Sequence, residues 1–101
     1  MTGNPSDAAS RAVRRFWHNY FSILEKSSVP VRSRPWYRKH VEGYIQDHAG
    51  RRLAEHLPHD IDEYLAAKGR IGTLQEWQFR QIVDALRLLF CELIEAPWAQ
   101  D

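Results

Sequence analysis

The longest run of regularly spaced apolar residues lies in the last third of the chain, and it limits the possible folds more than any other feature. From Thr73 to about Ile94, apolar side chains recur every three or four residues, which places them on one face of an α-helix. Thr73 and Glu76 have the spacing of a capping box, and Pro97 limits extension of the helix. The predicted core positions are Phe79, Ile82, Val83, Leu86, Leu89, Phe90 and Leu93. A helix with this face must be covered by other elements.

The same periodicity predicts two helices in the first half of the chain. The first, over 8–26, has an apolar stripe that consists of Val13, Phe16, Trp17, Tyr20, Ile23 and Leu24. The second, over 34–48, begins after Ser33 as predicted N-cap and has Pro35 in its first turn. Its inner positions are Tyr37, Val41, Tyr44, Ile45 and His48.

A short third helix is predicted over 59–68, between the second helix and the fourth over 74–94. It closes at Gly69, and Asp60, Asp62 and Glu63 lie in its early turns, where carboxylates favour the positive end of the helix dipole. We expect these three carboxylates to be solvated. No stretch shows the alternation and paired turns of a β-hairpin. The predicted fold is therefore all-α, a compact four-helix bundle with short loops.

Length and termini restrict the domain organisation. A chain of 101 residues forms one domain, which we expect over 8–98, and residues 1–7 are predicted to be a disordered tail. No segment is apolar for long enough to span a membrane, and the polar start does not resemble a signal peptide. We therefore expect a cytoplasmic protein that has no membrane partner.

Candidate catalytic and metal-binding residues are few. Cys91 lies in the apolar run LLFCELI, where a thiol is typically a small hydrophobe, and a single cysteine supports neither a disulfide nor a common zinc site. His48, His56 and His59 come close to Asp60 in sequence but match no metal-binding spacing, so capping or packing roles are favoured. Neither phosphate-binding glycine motif is present. We expect no enzyme activity, metal or cofactor from this chain.

Charge is unevenly distributed although the net charge is only +1. Residues 32–52 carry six basic side chains and two acids, whereas residues 53–64 carry four acids and no lysine or arginine. Arg34, Arg38, Glu42 and Gln46 recur every four residues and form a polar ridge on the second helix, with Lys39 beside it. This ridge suits a DNA groove, and a solvated helix face explains it equally well.

The start of the fourth helix adds a weaker signal of the same kind. Gln75, Gln78 and Gln81 lie about one turn apart, with Arg80 adjacent and Arg87 further along. Such side chains can contact adenine edges or phosphates, but glutamine is also an ordinary surface residue of helices.

Three sequence strings, in this order and spacing, carry a resemblance to a known family. They are RSRPWYRKHVEGYI, RRLAEHLPHDIDEYL and EWQFRQIVDALRLLFCELI. Over residues 16–98 the chain resembles the N-terminal core-binding domain of tyrosine recombinases, the SAM-like domain of phage integrases, and especially that of integron integrases. The resemblance implies a four-helix bundle, and the term SAM denotes a helical fold and implies no cofactor.

The resemblance also implies a function and a set of residues. In this family the core-binding domain clamps double-stranded DNA together with a C-terminal catalytic domain, and its second and fourth helices approach the major groove. The implied DNA-binding residues are Ser33, Arg34, Arg38, Lys39, Gln78, Arg80 and Gln81. Arg51 and Arg52 either follow a phosphate or are solvated. The catalytic tyrosine and its assisting residues belong to the domain that this chain lacks, so strand cleavage is not expected of it.

A helical protein-interaction module is the alternative function. In that case exposed tryptophans, with Trp17, Trp36 and Trp98 as candidates, would anchor a partner, and the basic ridge would be incidental. The two functions are compatible, because the resemblance also implies contacts between neighbouring protomers on DNA.

Overall fold

The four segments with apolar periodicity are helical, and the predicted all-α four-helix bundle is confirmed. The structure is a computed structural model that describes residues 5–100, with side chains from residue 8 onward. Within that part the α-helices are α1 (Pro5–Lys26), α2 (Arg34–Asp47), α3 (Pro58–Ile71) and α4 (Glu76–Leu88), and there is no strand. None of these helices is both long enough and apolar enough to cross a membrane.

The core is formed by the faces that the periodicity predicts, with exceptions on α1 and α4. Tyr20 and Leu24 of α1, Val41 and Tyr44 of α2, and Leu89 after α4 are completely buried. Val83 is wrongly predicted as a core residue, since 37% of it is exposed. Ala85 and Leu88 are buried in its place. Val13, predicted in the stripe of α1, is also exposed because the first turns of α1 extend past the rest of the bundle.

The boundaries of α1 differ from the predicted ones at its amino end only. The helix begins at Pro5 and not at residue 8, and residues 1–4 of the predicted tail lie outside the described residues. At the carboxyl end Ser28 has a left-handed φ of 63°. The N–H of Val29 donates to the carbonyl of Leu24 and that of Ser28 to Glu25, the hydrogen bonds of a Schellman motif.

The predicted start of α2 after Ser33 is confirmed, but the side-chain caps of α2 and α4 are not formed as predicted. Ser33 belongs to the 3₁₀ turn Val31–Ser33, has helical backbone angles and makes no side-chain cap. At α4 the capping residues are displaced by two positions: the side chain of Gln78 accepts a hydrogen bond from the N–H of Gln75 at 2.8 Å. The predicted capping box of Thr73 and Glu76 is therefore not formed, because Glu76 is already the first residue of the helix.

The third helix is longer than predicted and starts with a buried carboxylate. It continues through Gly69 to Ile71 and ends where Gly72 takes a left-handed φ of 76°. Asp60, which we predicted to be solvated, is 6% exposed. Its carboxylate accepts the N–H of Leu57 at 2.8 Å and pairs with both terminal nitrogens of Arg51, at 3.0 and 3.2 Å. Asp62 and Glu63 are exposed as expected.

A π-helical turn, Leu89–Leu93, follows α4 and turns Phe90 into the core. The 3₁₀ turn Pro97–Gln100 then folds back over it, and the indole N–H of Trp98 donates to the carbonyl of His56 at 2.9 Å. Cys91, in the π turn, is half-buried, with its sulfur 3.7 Å from the carbonyl of Ala99. The carboxyl end of the described chain thus covers one end of the bundle.

A histidine lies at the centre of this end of the bundle. His56 is 1% exposed, and its Nδ1 lies 2.6 Å from the hydroxyl of Tyr44. Nε2 is buried and has no hydrogen-bond partner among the described residues. Burial, together with the nearby Arg51 and His48, lowers the pKa of His56, so that the ring is neutral at pH 7. The packing role that we predicted for His48 and His56 is thus what the structure shows.

Stability is expected to fall in two stages as the pH is lowered. His56 has a folded-state pKa below its ordinary value of 6.5, so the unfolded chain binds the proton more readily and stability is lost as the pH falls below about 6.5. Hydrogen bonds from Arg51 and Leu57 hold the pKa of Asp60 well below its ordinary 3.8, so its contribution is lost below about pH 4. Urea unfolding between pH 8 and pH 3 measures both stages.

A matched pair of variants isolates the histidine stage. His56→Gln should flatten the dependence of unfolding free energy on pH between about pH 7 and pH 5, whereas His18→Gln, at an exposed position of α1, should leave it unchanged. Equal slopes for wild type and His56→Gln would contradict the assignment.

Candidate nucleic-acid interface

The two helices singled out by the sequence, α2 and α4, are joined by hydrogen bonds between polar side chains. The hydroxyl of Tyr37 donates to the carboxylate of Asp84 at 2.7 Å, and Nε2 of His40 lies 2.8 Å from Oε1 of Gln81. Asp84 also pairs with the guanidinium of Arg87 at 2.7 Å. We call this set of five side chains the α2–α4 polar seam.

Burial and these hydrogen-bond partners determine the pKa values and charges of the side chains in the polar seam. Burial and the hydrogen bond to Asp84 raise the pKa of Tyr37 to about 12, and pairing with Asp84 raises the pKa of Arg87. Burial lowers the pKa of His40, so its ring is neutral at pH 7. At that pH the formal charges of the seam are Asp84 and Arg87, which balance.

Arg34 and Arg38, predicted to contact DNA, face the α1 side of α2. The guanidinium of Arg38 lies 4.6 Å from the ring centroid of Trp17, and its Nε donates to Glu42 at 3.2 Å. Arg34 donates from Nε to the carbonyl of Val29 at 2.9 Å. Both side chains are half-buried and help to hold α2 against α1. They are therefore not on the side of α2 where His40 meets Gln81.

Lys39 and Arg32 are the exposed cations at the start of α2. The ammonium of Lys39 lies 5.3 Å from the ring centroid of Trp36, which is 55% exposed. Among the described residues no carboxylate oxygen lies within 4.0 Å of the charged nitrogens of Lys39 or Arg32. Ser33, between them in sequence, is half-buried. These two cations can meet a phosphate without first breaking an ion pair.

Of the residues of α4 that we predicted to contact DNA, the two glutamines have structural roles and the arginine is exposed. Gln78 caps α4, and Gln81 is bound to His40 in the polar seam. Arg80 is exposed and pairs with Glu76 one turn earlier. An exposed pair of this kind contributes at most about 1 kcal/mol, so a phosphate can replace Glu76 as the partner of Arg80.

The loop after α2 does not leave both of its arginines free. Arg51 forms the pair with Asp60 described above, whereas Arg52 is exposed. Hydrogen bonding to Asp60 raises the pKa of Arg51. Of the two roles that the sequence left open, Arg51 is solvated in that its side chain is 45% exposed, and its guanidinium is at the same time paired with Asp60 at the start of α3.

The tyrosines are buried, whereas two of the four tryptophans are largely exposed. All four tyrosines are buried, including the three that we predicted at inner positions. Trp17 is buried as well, and Trp98 is half-buried in its hydrogen bond to His56, which leaves Trp36 as the exposed member of the three predicted anchors. Sequence analysis missed Trp77, which is 61% exposed on the first turn of α4.

Metal binding has no geometric basis in the part of the chain that the structure describes. Within residues 8–100 no three side chains among histidine, cysteine, aspartate and glutamate are arranged to hold an ion. His59, the outer member of the histidine group, lies 3.5 Å from Asp60 on the exposed side of that carboxylate.

No protein-family model, curated protein or solved structure matches this chain.

Proposed function

We propose that this chain is a double-stranded DNA-binding domain of the kind found as the core-binding domain of tyrosine recombinases. Its proposed contact surface consists of Arg32 and Lys39 at the start of α2, and of Arg80 and Arg87 on α4. The catalytic domain of such a recombinase and neighbouring protomers on DNA are the further partners that this proposal implies. The proposed role is to bind and position DNA, with cleavage left to the catalytic domain.

The observation that carries the proposal is the pairing of α2 with α4 through the polar seam. The hydrogen bonds of the seam hold α2 against α4, and the exposed Lys39 and Arg80 are each next in sequence to a member of the seam. Lys39 carries no ion pair among the described residues, and the pairs of Arg80 and Arg87 with acids of their own helix are exposed and exchangeable. Cations of this kind bind phosphates and set the register of a protein on duplex DNA.

Base reading within this surface would depend on opening one hydrogen bond. Gln81 could contact an adenine edge only if its amide leaves His40, since its Oε1 lies 2.8 Å from that ring. Phosphate contacts by Lys39 and Arg32 need no such change. We therefore expect the free domain to bind duplex DNA with weak sequence preference and strong dependence on salt.

The test is a titration of fluorescein-labelled duplex DNA of mixed sequence with the domain, at salt concentrations from about 20 mM to 200 mM. Anisotropy should give an affinity that falls with salt, with a slope of about −2 to −4 in a double-logarithmic plot for two to four phosphate contacts. Amide shifts in a parallel NMR titration should cluster at 32–40 and 80–87. No binding at the lowest salt, or shifts elsewhere, would contradict the proposal.

Two exposed tryptophans favour a second candidate function, a protein-interaction module. Trp36 and Trp77 are 55% and 61% exposed, and exposed tryptophans of this size commonly anchor protein partners. Trp36→Ala should leave the affinity for duplex DNA within about threefold if phosphate contacts dominate, because Lys39 keeps its charge. A large loss of DNA binding in Trp36→Ala would instead make the aromatic ring part of the DNA surface.

A further inference from the structure

An apolar cleft lies between α1 and α2, away from the polar seam. It has a volume of about 450 Å³ and is lined by Val13, Phe16 and Trp17 of α1 and by Ile45 of α2, with Glu42 and Gln46 at its edge. Val13 is 54% exposed, and Phe16 and Ile45 are half-buried. The cleft thus presents apolar side chains that the domain itself does not cover.

The cleft opens onto a stretch of helix that has no neighbour in the domain. Every side chain from residue 8 to residue 15 of α1 is exposed, and the molecule is correspondingly elongated, with extents of 52 × 30 × 29 Å. Isolated helical turns are marginal in water and are usually stabilised by packing of an apolar face. A helix laid beside Val13 and Phe16 would supply that packing, in the manner of helix-in-groove recognition.

Charge around the cleft selects among possible occupants. Of the arginines in the exposed part of α1, Arg14 is on the side of Val13, whereas Arg11 and Arg15 are each two residues from Val13 and lie on the other side of the helix. Arg14 lies beside Val13 and Trp17 with no carboxylate within 4.0 Å among the described residues. The charge of Glu42, the acid at the edge, is balanced by Arg38 at 3.2 Å.

We propose that the apolar cleft between α1 and α2 binds an amphipathic helix of a partner protein, with leucine-type side chains in the cleft and acidic residues facing Arg14. A second copy of this chain that packed α1 on α1 at the cleft would bring the two Arg14 side chains together and is disfavoured by repulsion. The cleft and the polar seam involve different sides of α2, so this inference stands apart from the DNA-binding proposal.

The probe is a synthetic, fluorescein-labelled peptide of about 18 residues with leucine at helical positions i, i+3, i+4 and i+7 and glutamate on the other face. A peptide with lysine in place of glutamate is the charge control. The glutamate peptide should bind the wild-type domain, and the lysine peptide should bind at least tenfold more weakly. Failure of the glutamate peptide to bind would overturn the proposal.

Two pairs of variants locate the binding. Val13→Gln should weaken binding about tenfold, whereas Val31→Gln, at a 73% exposed valine before α2, should not change it. Arg14→Glu should weaken binding more than Arg15→Glu, because Arg15 lies on the opposite side of α1 from Val13. Equal effects within either pair would assign the binding to another surface and overturn the proposal.

Sedimentation velocity of the wild-type domain without peptide tests the competing occupant. The domain should sediment as a monomer at all concentrations. A concentration-dependent dimer that Val13→Gln abolishes would assign the cleft to a second copy of the chain and would also overturn the proposal.

Discussion

Phe90→Ala is expected to lower the free energy of unfolding by about 3–5 kcal/mol, a large part of the 5–15 kcal/mol typical of a domain. Phe90 is 2% exposed, and its ring centroid lies 5.7 Å from that of Tyr44 and 5.5 Å from that of Trp98. It therefore joins α2, the π turn and the last 3₁₀ turn. Its removal opens a cavity next to His56, 6.0 Å away, whose Nε2 already has no partner among the described residues.

Two further variants make this prediction specific. Phe90→Leu keeps most of the volume and should cost no more than about 1.5 kcal/mol. Phe21→Ala makes the same chemical change at a half-buried position of α1 and should cost clearly less than Phe90→Ala. Urea unfolding at pH 8, where His56 is neutral, measures all three. A loss below about 1 kcal/mol in Phe90→Ala would show that the core relaxes around the site.

Periodicity predicted which segments are helical because burial of one face is a property of each segment alone. The errors arise where the backbone departs from 3.6 residues per turn or where a cap is made by a neighbour. The π turn inserts a residue after Leu88 and brings Leu88, Leu89 and Phe90 all into the core, which no single helical period predicts. Val83 precedes this change of register and faces solvent.

The predicted helix caps fail for a different reason. Ser33 and Thr73 are the residue types that usually cap helices, yet neither makes the predicted side-chain cap: Ser33 has helical backbone angles in the 3₁₀ turn before α2, and Gln78 caps α4. At α3 the start is fixed by Asp60, whose pairing with Arg51 spans nine residues and a loop. Local preference identifies candidates for a cap, and tertiary contacts choose among them.

In the candidate site, likewise, contacts within one helix could be predicted from the sequence, and contacts between helices could not. Pairing of Arg38 with Glu42 and of Arg80 with Glu76 follows from their separation by four residues on one helix, so their partial neutralisation could be predicted from the sequence. The bonds of His40 to Gln81 and of Tyr37 to Asp84 join residues more than 40 apart, and no pattern in the chain indicates them. The cation–π contact of Arg38 with Trp17 is equally hidden.

Reversal of both free cations at the start of α2, Arg32→Glu with Lys39→Glu, is expected to weaken duplex DNA binding about 100-fold at 0.1 M salt. Each side chain is proposed to neutralise one phosphate, and loss of both should reduce the magnitude of the salt slope by about 2. Both residues are exposed and lack a carboxylate partner among the described residues, so the fold should tolerate the change. Arg38→Glu is a poorer test, because it sets a second carboxylate beside Glu42 and removes the cation over Trp17.

The matched control reverses two exposed cations outside the proposed surface, Arg15→Glu on α1 with Arg52→Glu in the loop after α2. Both double variants lower the net charge by four, so any general repulsion of DNA is the same in each. Arg52 follows the carboxyl end of α2, and the helix rises about 12 Å from Lys39 to that end, so Arg52 is distant from Lys39. The control should keep the wild-type salt slope and lose at most a few-fold in affinity. Equal losses in the two double variants would show that net charge, and not the surface around α2 and α4, governs binding, and the proposed DNA interface would then be wrong.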